Sequence, residues 1–102
     1  MKQSQAIAAL SGLAQETRLD IFRLLVKAGD GGLASGALAE KLKISAASAS
    51  FHLGQLENAG LISSGRVSRS IIYKAKFEAV GAMINFLLED CCAGDRRVKA
   101  CC

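Results

Sequence analysis

Nowhere in its 102 residues does this chain hold the run of ~18 apolar side chains that a membrane-spanning helix needs. Its N-terminus lacks the apolar core of a secretory signal, so a cytoplasmic location is expected. Histidine occurs once, as His52, and no pair of carboxylates stands beside it. No nucleophile is matched with a base, and no loop has a cofactor-binding form. The glycine run Gly29-Asp30-Gly31-Gly32 fits no phosphate-cradling motif and reads as a turn. These absences exclude the usual enzymatic constellations, and the chain is expected not to be an enzyme. Cysteine is missing from the first ninety residues, and no repeat, low-complexity block or linker divides them. One small domain is expected.

What the chain does have is apolar content and positive charge. Hydrophobic residues make up 51% of it, high for a length that buries only a modest core, so dimerisation is a natural way to hide the excess. The formal net charge of +4 suits a polyanionic partner, although where the charges lie matters more than their sum. Helical periodicity appears from Gln3 to about Leu13, with Ala6, Ile7 and Leu10 as its apolar stripe. It reappears from Thr17 to Ala28 through Ile21, Leu24, Leu25 and Ala28, and again from Ser35 to Ile44 through Leu38 and Leu42. A last helix is expected from about Phe77 to Asp90, with Val80, Met83, Ile84, Leu87 and Leu88 on one face. The first and last helices carry more apolar positions than a small domain needs, which points to a dimer seam along them.

The most telling segment runs from Ser45 to Ile62. Ser45 is a fit N-cap, Ala49, Leu53 and Leu56 recur at helical spacing, and Asn58-Ala59-Gly60 supplies a stop in which Gly60 can take positive φ. The remaining positions, Ala47, Ser48, Ser50, Phe51 and Gln55, are small or uncharged where a solvated face would carry Lys and Glu. Such a face suits close approach to base edges in a DNA major groove. The helix just upstream lies at helix-turn-helix spacing. Downstream, Leu61 to Tyr73 reads as two β runs around a polar turn, with Arg66, Arg69, Lys74 and Lys76 in or just after it and no acid among them. Arg66 and Arg69 are candidate phosphate or minor-groove contacts. His52 reads as half-buried and hydrogen-bonded, Phe51 as either a thymine-methyl contact or a cover for the helix pair, and Tyr73 as packing the hairpin on the body. Arg18 and Arg23 read as surface charges. The fold class expected is mainly α with a β-hairpin wing, a winged helix-turn-helix acting as a homodimer on double-stranded operator DNA, with half-sites near one helical turn apart.

Three separated segments resemble a known family. Leu13-Ala14-Gln15-Glu16-Thr17-Arg18-Leu19-Asp20-Ile21-Phe22-Arg23-Leu24-Leu25 is similar to the second helix of ArsR-type (ArsR/SmtB) winged-helix repressors. Ser50-Phe51-His52-Leu53, with Leu56 and Ala59-Gly60-Leu61-Ile62, resembles their recognition helix and its exit, and Arg69-Ser70-Ile71-Ile72-Tyr73 the second strand of their wing. The resemblance spans roughly residues 5 to 90. It implies a homodimeric repressor that a metal or metalloid ion, or an oxidant, releases from DNA. Two familiar sensing sites of the family do not carry over. Leu33 to Glu40, where many members have a cysteine box, contains no cysteine, and the last helix contains no histidine.

The four cysteines form two adjacent pairs, Cys91-Cys92 and Cys101-Cys102, in a tail of residues 91–102 that follows the DNA-binding and dimerisation domain of residues 1–90. Structural zinc sites space paired cysteines by two to four residues, whereas adjacent helical residues point about 100° apart. A soft ion content with three thiolates fits better. Trivalent arsenic (arsenite), or antimony, is such an ion. Cys91 and Cys92 would supply two sulfurs, and Cys101 or Cys102 the third across the connector 93–100, since loop closure grows only logarithmically with length. ArsR-type proteins with a vicinal pair at the end of the last helix are arsenite responders, and this chain resembles that subgroup. Three other readings stay open: an idle tail, a thiol-based redox or sulfide-sensing repressor, and a small thiol redox enzyme or metalloid carrier with Arg96, Arg97 and Lys99 lowering a thiol pKa. A disulfide within either pair would be strained, because adjacent Cα atoms lie near 3.8 Å and disulfides span ~4.4–6.8 Å.

Overall fold

The computed structural model describes residues 1–88. Five helices, α1 (Gln3–Leu13), α2 (Glu16–Ala28), α3 (Ser35–Leu42), α4 (Ala46–Asn58) and α5 (Phe77–Leu88), combine with three strands, β1 (Leu33–Ala34), β2 (Ile62–Val67) and β3 (Ser70–Ala75). In chain order they run α1-α2-β1-α3-α4-β2-β3-α5, and the strands form one antiparallel sheet in the order β1-β3-β2. This is a winged helix-turn-helix, mainly α as expected. Residues 89 and 90, the expected end of the last helix, and the tail 91–102 lie outside the described residues.

The helix limits follow local chemistry. α2 begins at Glu16, one residue before the expected Thr17, because the Gln15 side chain caps it by accepting the Arg18 N–H at 2.8 Å. α3 stops at Leu42, short of the expected Ile44, because Lys43 turns left-handed (φ 56°) and its N–H closes back on Ala39 and Glu40. The Ile44 N–H bonds the Ala39 carbonyl at 3.0 Å, which completes the αL ending. The glycine run is a single 3-10 turn, Gly29–Gly31, with positive φ at its first residue, Gly29, and at Gly32 just after it. Gly32 is obligatory, since a Cβ there would lie 2.4 Å from the Tyr73 carbonyl oxygen. That close approach seats β1 on β3, with Leu33 opposite Tyr73 and Ala34 opposite Ile72. The sequence reading placed two strands here, and β1 is a third.

The core is built from Ile21 and Leu25 of α2, Leu38 of α3, Leu53 and Leu56 of α4, and Leu61 and Ile62 at the root of the wing, all fully buried. Each such side chain stabilises the fold by roughly 1.5–3 kcal/mol relative to exposure. α1 meets the core through buried Ala6, Ala9 and Gly12 and, at its last residue, half-buried Leu13. Gly12 crosses α4's exit so closely that a Cβ would lie 2.7 Å from the Ala59 Cβ. The stripe expected on α1 therefore divides: Ala6 faces inward while Ile7 and Leu10 stay exposed, because only the smallest side chains fit the inner crossing. α5 divides likewise, with Met83 buried, Val80 half-buried and Ile84 and Leu87 exposed.

Two glycines in helices test this reading of α1. Gly12→Ala should lower unfolding free energy in urea titrations by about 1–3 kcal/mol through overpacking against Ala59. Gly36→Ala, whose Cβ would meet nothing within 4 Å, should raise it by about 0.4–1 kcal/mol by restricting the unfolded chain. Equal effects of the two substitutions would show that the α1–α4 crossing is slack.

Candidate nucleic-acid interface

α3 and α4 are joined by residues 43–45 and packed on each other as a helix-turn-helix pair. Ser45 caps α4 as expected, its Oγ accepting the Ser48 N–H at 3.0 Å. At the other end, Gly60 (φ 80°) reverses the chain, and the Leu61 N–H bonds the Leu56 carbonyl at 3.1 Å. With Ala49, Leu53 and Leu56 fully buried, helical geometry turns Ala47, Phe51 and Gly54 to the opposite side, with Ser50 and Gln55 on its flanks. Ala47, Ser50, Phe51 and Gln55 are exposed, Phe51 by 60%. Ser48 lies half-buried toward the edge of that face. Phe51 thus stands out from the helix pair and does not cover it. Gly54 was missed in the sequence reading. Its signal is a glycine in mid-helix, which costs about 1 kcal/mol against alanine, at a site where a Cβ would meet nothing.

The wing is fixed at its root and free at its tip. Ile62 and Ala75 pair across the strands and are buried, Tyr73 is half-buried against the core, and everything from Ser63 to Ile71 is exposed. The hairpin closes through Ser68 and Arg69, with Ser68 left-handed at φ 59°. Alternation puts Ser64 and Arg66 on the same face as Ile62. The Ser64 hydroxyl donates to Glu57 Oε2 at 2.7 Å, so this face of the wing is tied to the last turn of α4. Arg66 continues that face toward the tip, opposite Ile71, and Arg69 sits in the turn. Arg66, Arg69, Lys74 and Lys76 are all exposed.

Arg18 is not a surface charge, contrary to expectation. It is half-buried, its Nε donates to the Gly12 carbonyl at 2.7 Å, and its Nη1 lies 3.5 Å from His52 Nδ1. One guanidinium thus joins the α1–α2 corner to α4. His52 is half-buried and engaged as expected, and its ring meets that of Phe51 edge-on, with centroids 5.3 Å apart and planes at 69°. Arg23 is exposed. Among the described residues, no three His, Cys, Asp or Glu side chains gather closely enough to hold a metal ion, and no helix is long and apolar enough to cross a membrane. Cys91, Cys92, Cys101 and Cys102 lie outside the described residues.

Comparison with known proteins agrees with this architecture. A family model described as a helix-turn-helix domain matches residues 13–64. Over 80 residues the chain is 38% identical to the HTH-type transcriptional regulator YgaV of Escherichia coli (strain K12), covering 78% of this chain and 79% of that protein. Among solved structures, it resembles an ArsR-like transcriptional regulator from Rhodococcus sp. RHA1, with a TM-score of 0.79, 28% identity and coverage of 96% of this chain and 90% of the other. A homodimeric winged helix-turn-helix DNA-binding domain, Mb0332 from Mycobacterium bovis, shares the fold at a TM-score of 0.70 and 22% identity, covering 88% of this chain and 82% of that one.

The Arg18 linkage carries its own test. Arg18→Ala should lower unfolding free energy by about 1–2 kcal/mol, the scale of a charge-assisted hydrogen bond in a half-buried setting. Arg18→Lys should recover little of this, because one ammonium does not reproduce the planar fork. Full recovery by lysine would reduce Arg18 to a simple surface charge.

Proposed function

We propose that this chain, which belongs to the helix-turn-helix transcriptional regulators, is an ArsR-type, arsenite-responsive repressor that holds operator DNA as a homodimer. The observation that carries DNA binding is the uncharged outward face of α4, standing beside a basic wing that the Ser64–Glu57 bond holds to the same helix. Base edges take the first and phosphates the second. The contacts assigned are Ala47, Ser48, Ser50, Phe51 and Gln55 on the helix and Arg66 and Arg69 on the wing.

The divided stripes support a dimer. Ile7 and Leu10 of α1 and Phe77, Ile84 and Leu87 of α5 are large, exposed and apolar, and a second copy would bury them. The Mycobacterium bovis domain of the same fold is homodimeric. Two reading heads related by a two-fold axis fit an inverted repeat.

The effector assignment rests on thiol chemistry. Every cysteine of the chain follows α5, beginning three residues after Leu88, and thiolates are the ligands that trivalent arsenic or antimony prefers. Cys91 and Cys92 would supply two sulfurs and Cys101 or Cys102 the third. α5 carries the exposed apolar face and leads directly into the thiols, so ion binding there would act on the relation between the two copies. For release to occur, the ion must favour the arrangement that does not fit DNA. A coupling of ~1–3 kcal/mol changes affinity roughly 5–150-fold.

Fluorescence anisotropy on duplexes from the DNA upstream of the chain's own coding sequence, with and without arsenite, tests this. Arsenite should weaken binding by the wild-type chain about 5–150-fold. Cys91→Ser and Cys92→Ser should bind DNA as the wild type does and ignore arsenite. Cys101→Ser or Cys102→Ser alone should blunt the response only mildly, and the double substitution strongly, since either residue closes the same connector at nearly equal entropy. An undiminished response in the double variant would place the third ligand elsewhere.

A further inference from the structure

Between Ser45 and Leu56 the chain has no charged residue at all. This has a direct consequence for what α4 can read. Guanine is recognised chiefly by Arg or Lys donating to O6 and N7, and cytosine by Asp or Glu accepting from N4. None of these side chains stands on the outward face up to Leu56, and the carboxylate that follows, Glu57, is engaged by the Ser64 hydroxyl of the wing. What is present is two primary amides, Gln55 and, in the last turn, Asn58, one exposed hydroxyl, Ser50, and two apolar groups, Ala47 and Phe51. An amide is the partner of adenine N6 and N7, and apolar groups are the partners of the thymine methyl. Resting on the DNA-binding reading above, we propose that α4 reads A·T pairs, Gln55 taking an adenine and Phe51 the 5-methyl group of a thymine.

Three further observations converge on the same choice. The Phe51 ring is 60% exposed and is braced edge-on by His52, which Arg18 in turn approaches from the α1–α2 corner. An apolar knob held out in solvent by a supported neighbour is organised for an apolar partner, and the thymine methyl is the apolar group of the major groove. Gly54 lies on the same face, one helical turn from Ser50 and next to Phe51 in projection, and nothing within 4 Å of its missing Cβ requires glycine there. The fold would be better served by alanine. A glycine kept at that point lets the groove floor come closer to the helix axis, where the short reach of Phe51 and Ala47 needs it. Finally, Arg66 is exposed on the wing face that is tied to α4, and A·T tracts narrow the minor groove and deepen its negative potential, which favours an inserted arginine. Helix and wing thus select the same composition through two different grooves.

The test begins with duplexes of random core sequence retained by the purified full chain, carried out in parallel for wild type, Phe51→Ala and Gln55→Ala. The wild type should enrich half-sites that contain neighbouring A·T pairs. Gln55→Ala should lose the preference for one adenine, a selectivity of roughly 5–150-fold for a bidentate contact. Phe51→Ala should lose the preference for one thymine. Replacing that thymine by deoxyuridine removes only the methyl group and leaves the protein untouched, so folding plays no part. It should weaken the wild type about 4-fold, the size of one buried methyl, and leave Phe51→Ala unaffected. Enriched half-sites whose Phe51- and Gln55-dependent positions are G·C would overturn the inference while leaving DNA binding intact. So would a deoxyuridine duplex bound by the wild type as tightly as the thymine one. A pool with no enrichment for any sequence would remove the DNA-binding reading and this inference together.

Discussion

The burial of one short apolar stripe, Ala49, Leu53 and Leu56, governs the rest of this molecule. These three side chains place α4 against α2 and α3, and the chain then turns through Gly60 straight into Leu61 and Ile62, which fill the same core. The reading helix and the wing root are therefore anchored in one continuous hydrophobic cluster. At roughly 1.5–3 kcal/mol per large side chain, neither can shift without disturbing the other. The Ser64–Glu57 hydrogen bond adds direction at the surface, and the unanchored tip beyond it is left to carry Arg66 and Arg69.

Around that rigid centre the periphery is attached more lightly. α1 reaches the core through alanines, a glycine and half-buried Leu13, and α5 through Met83 and half-buried neighbours, so Ile7, Leu10, Ile84 and Leu87 face outward. In the proposed homodimer a second copy would cover them. The relation between the two copies would then be the adjustable part of the proposed assembly. Two reading heads that are internally stiff can lose an operator through a change in their mutual spacing, with no change inside either head. In that proposal the thiols, which follow α5 in the sequence, would impose such a change through the helix assigned to the seam.

Much of this was legible in the residues. The 3.6-residue recurrence of apolar side chains located all five helices, and α1 runs over the expected Gln3–Leu13. Ser45 and Gly60 announced the two ends of α4, because a hydroxyl cap and a left-handed glycine act through their immediate neighbours. What escaped depends on partners remote in the chain. β1 has two residues, too few for any alternation, and exists only because Gly32 lets it reach Tyr73. Arg18 resembled any surface arginine until the fold brought Gly12 and His52 within its reach. The inward side of α1 went to alanine and glycine because the α4 exit crosses there, and hydrophobicity alone favoured Ile7 and Leu10. Gly54 carries no periodic signal, and its meaning appears only once the space around it is seen to be empty.

The arrangement of the two reading heads is the claim on which the functional account stands, and hydroxyl-radical footprinting of the bound operator addresses it most directly. Two winged helices related by a two-fold axis should protect two patches on one face of the duplex, with centres about one helical turn or a whole multiple of it apart (~10–10.5 base pairs). Flanking protection should mark each wing. A single protected patch, or two patches on opposite faces of the duplex, would contradict a dimer that presents α4 and the wing in the way described.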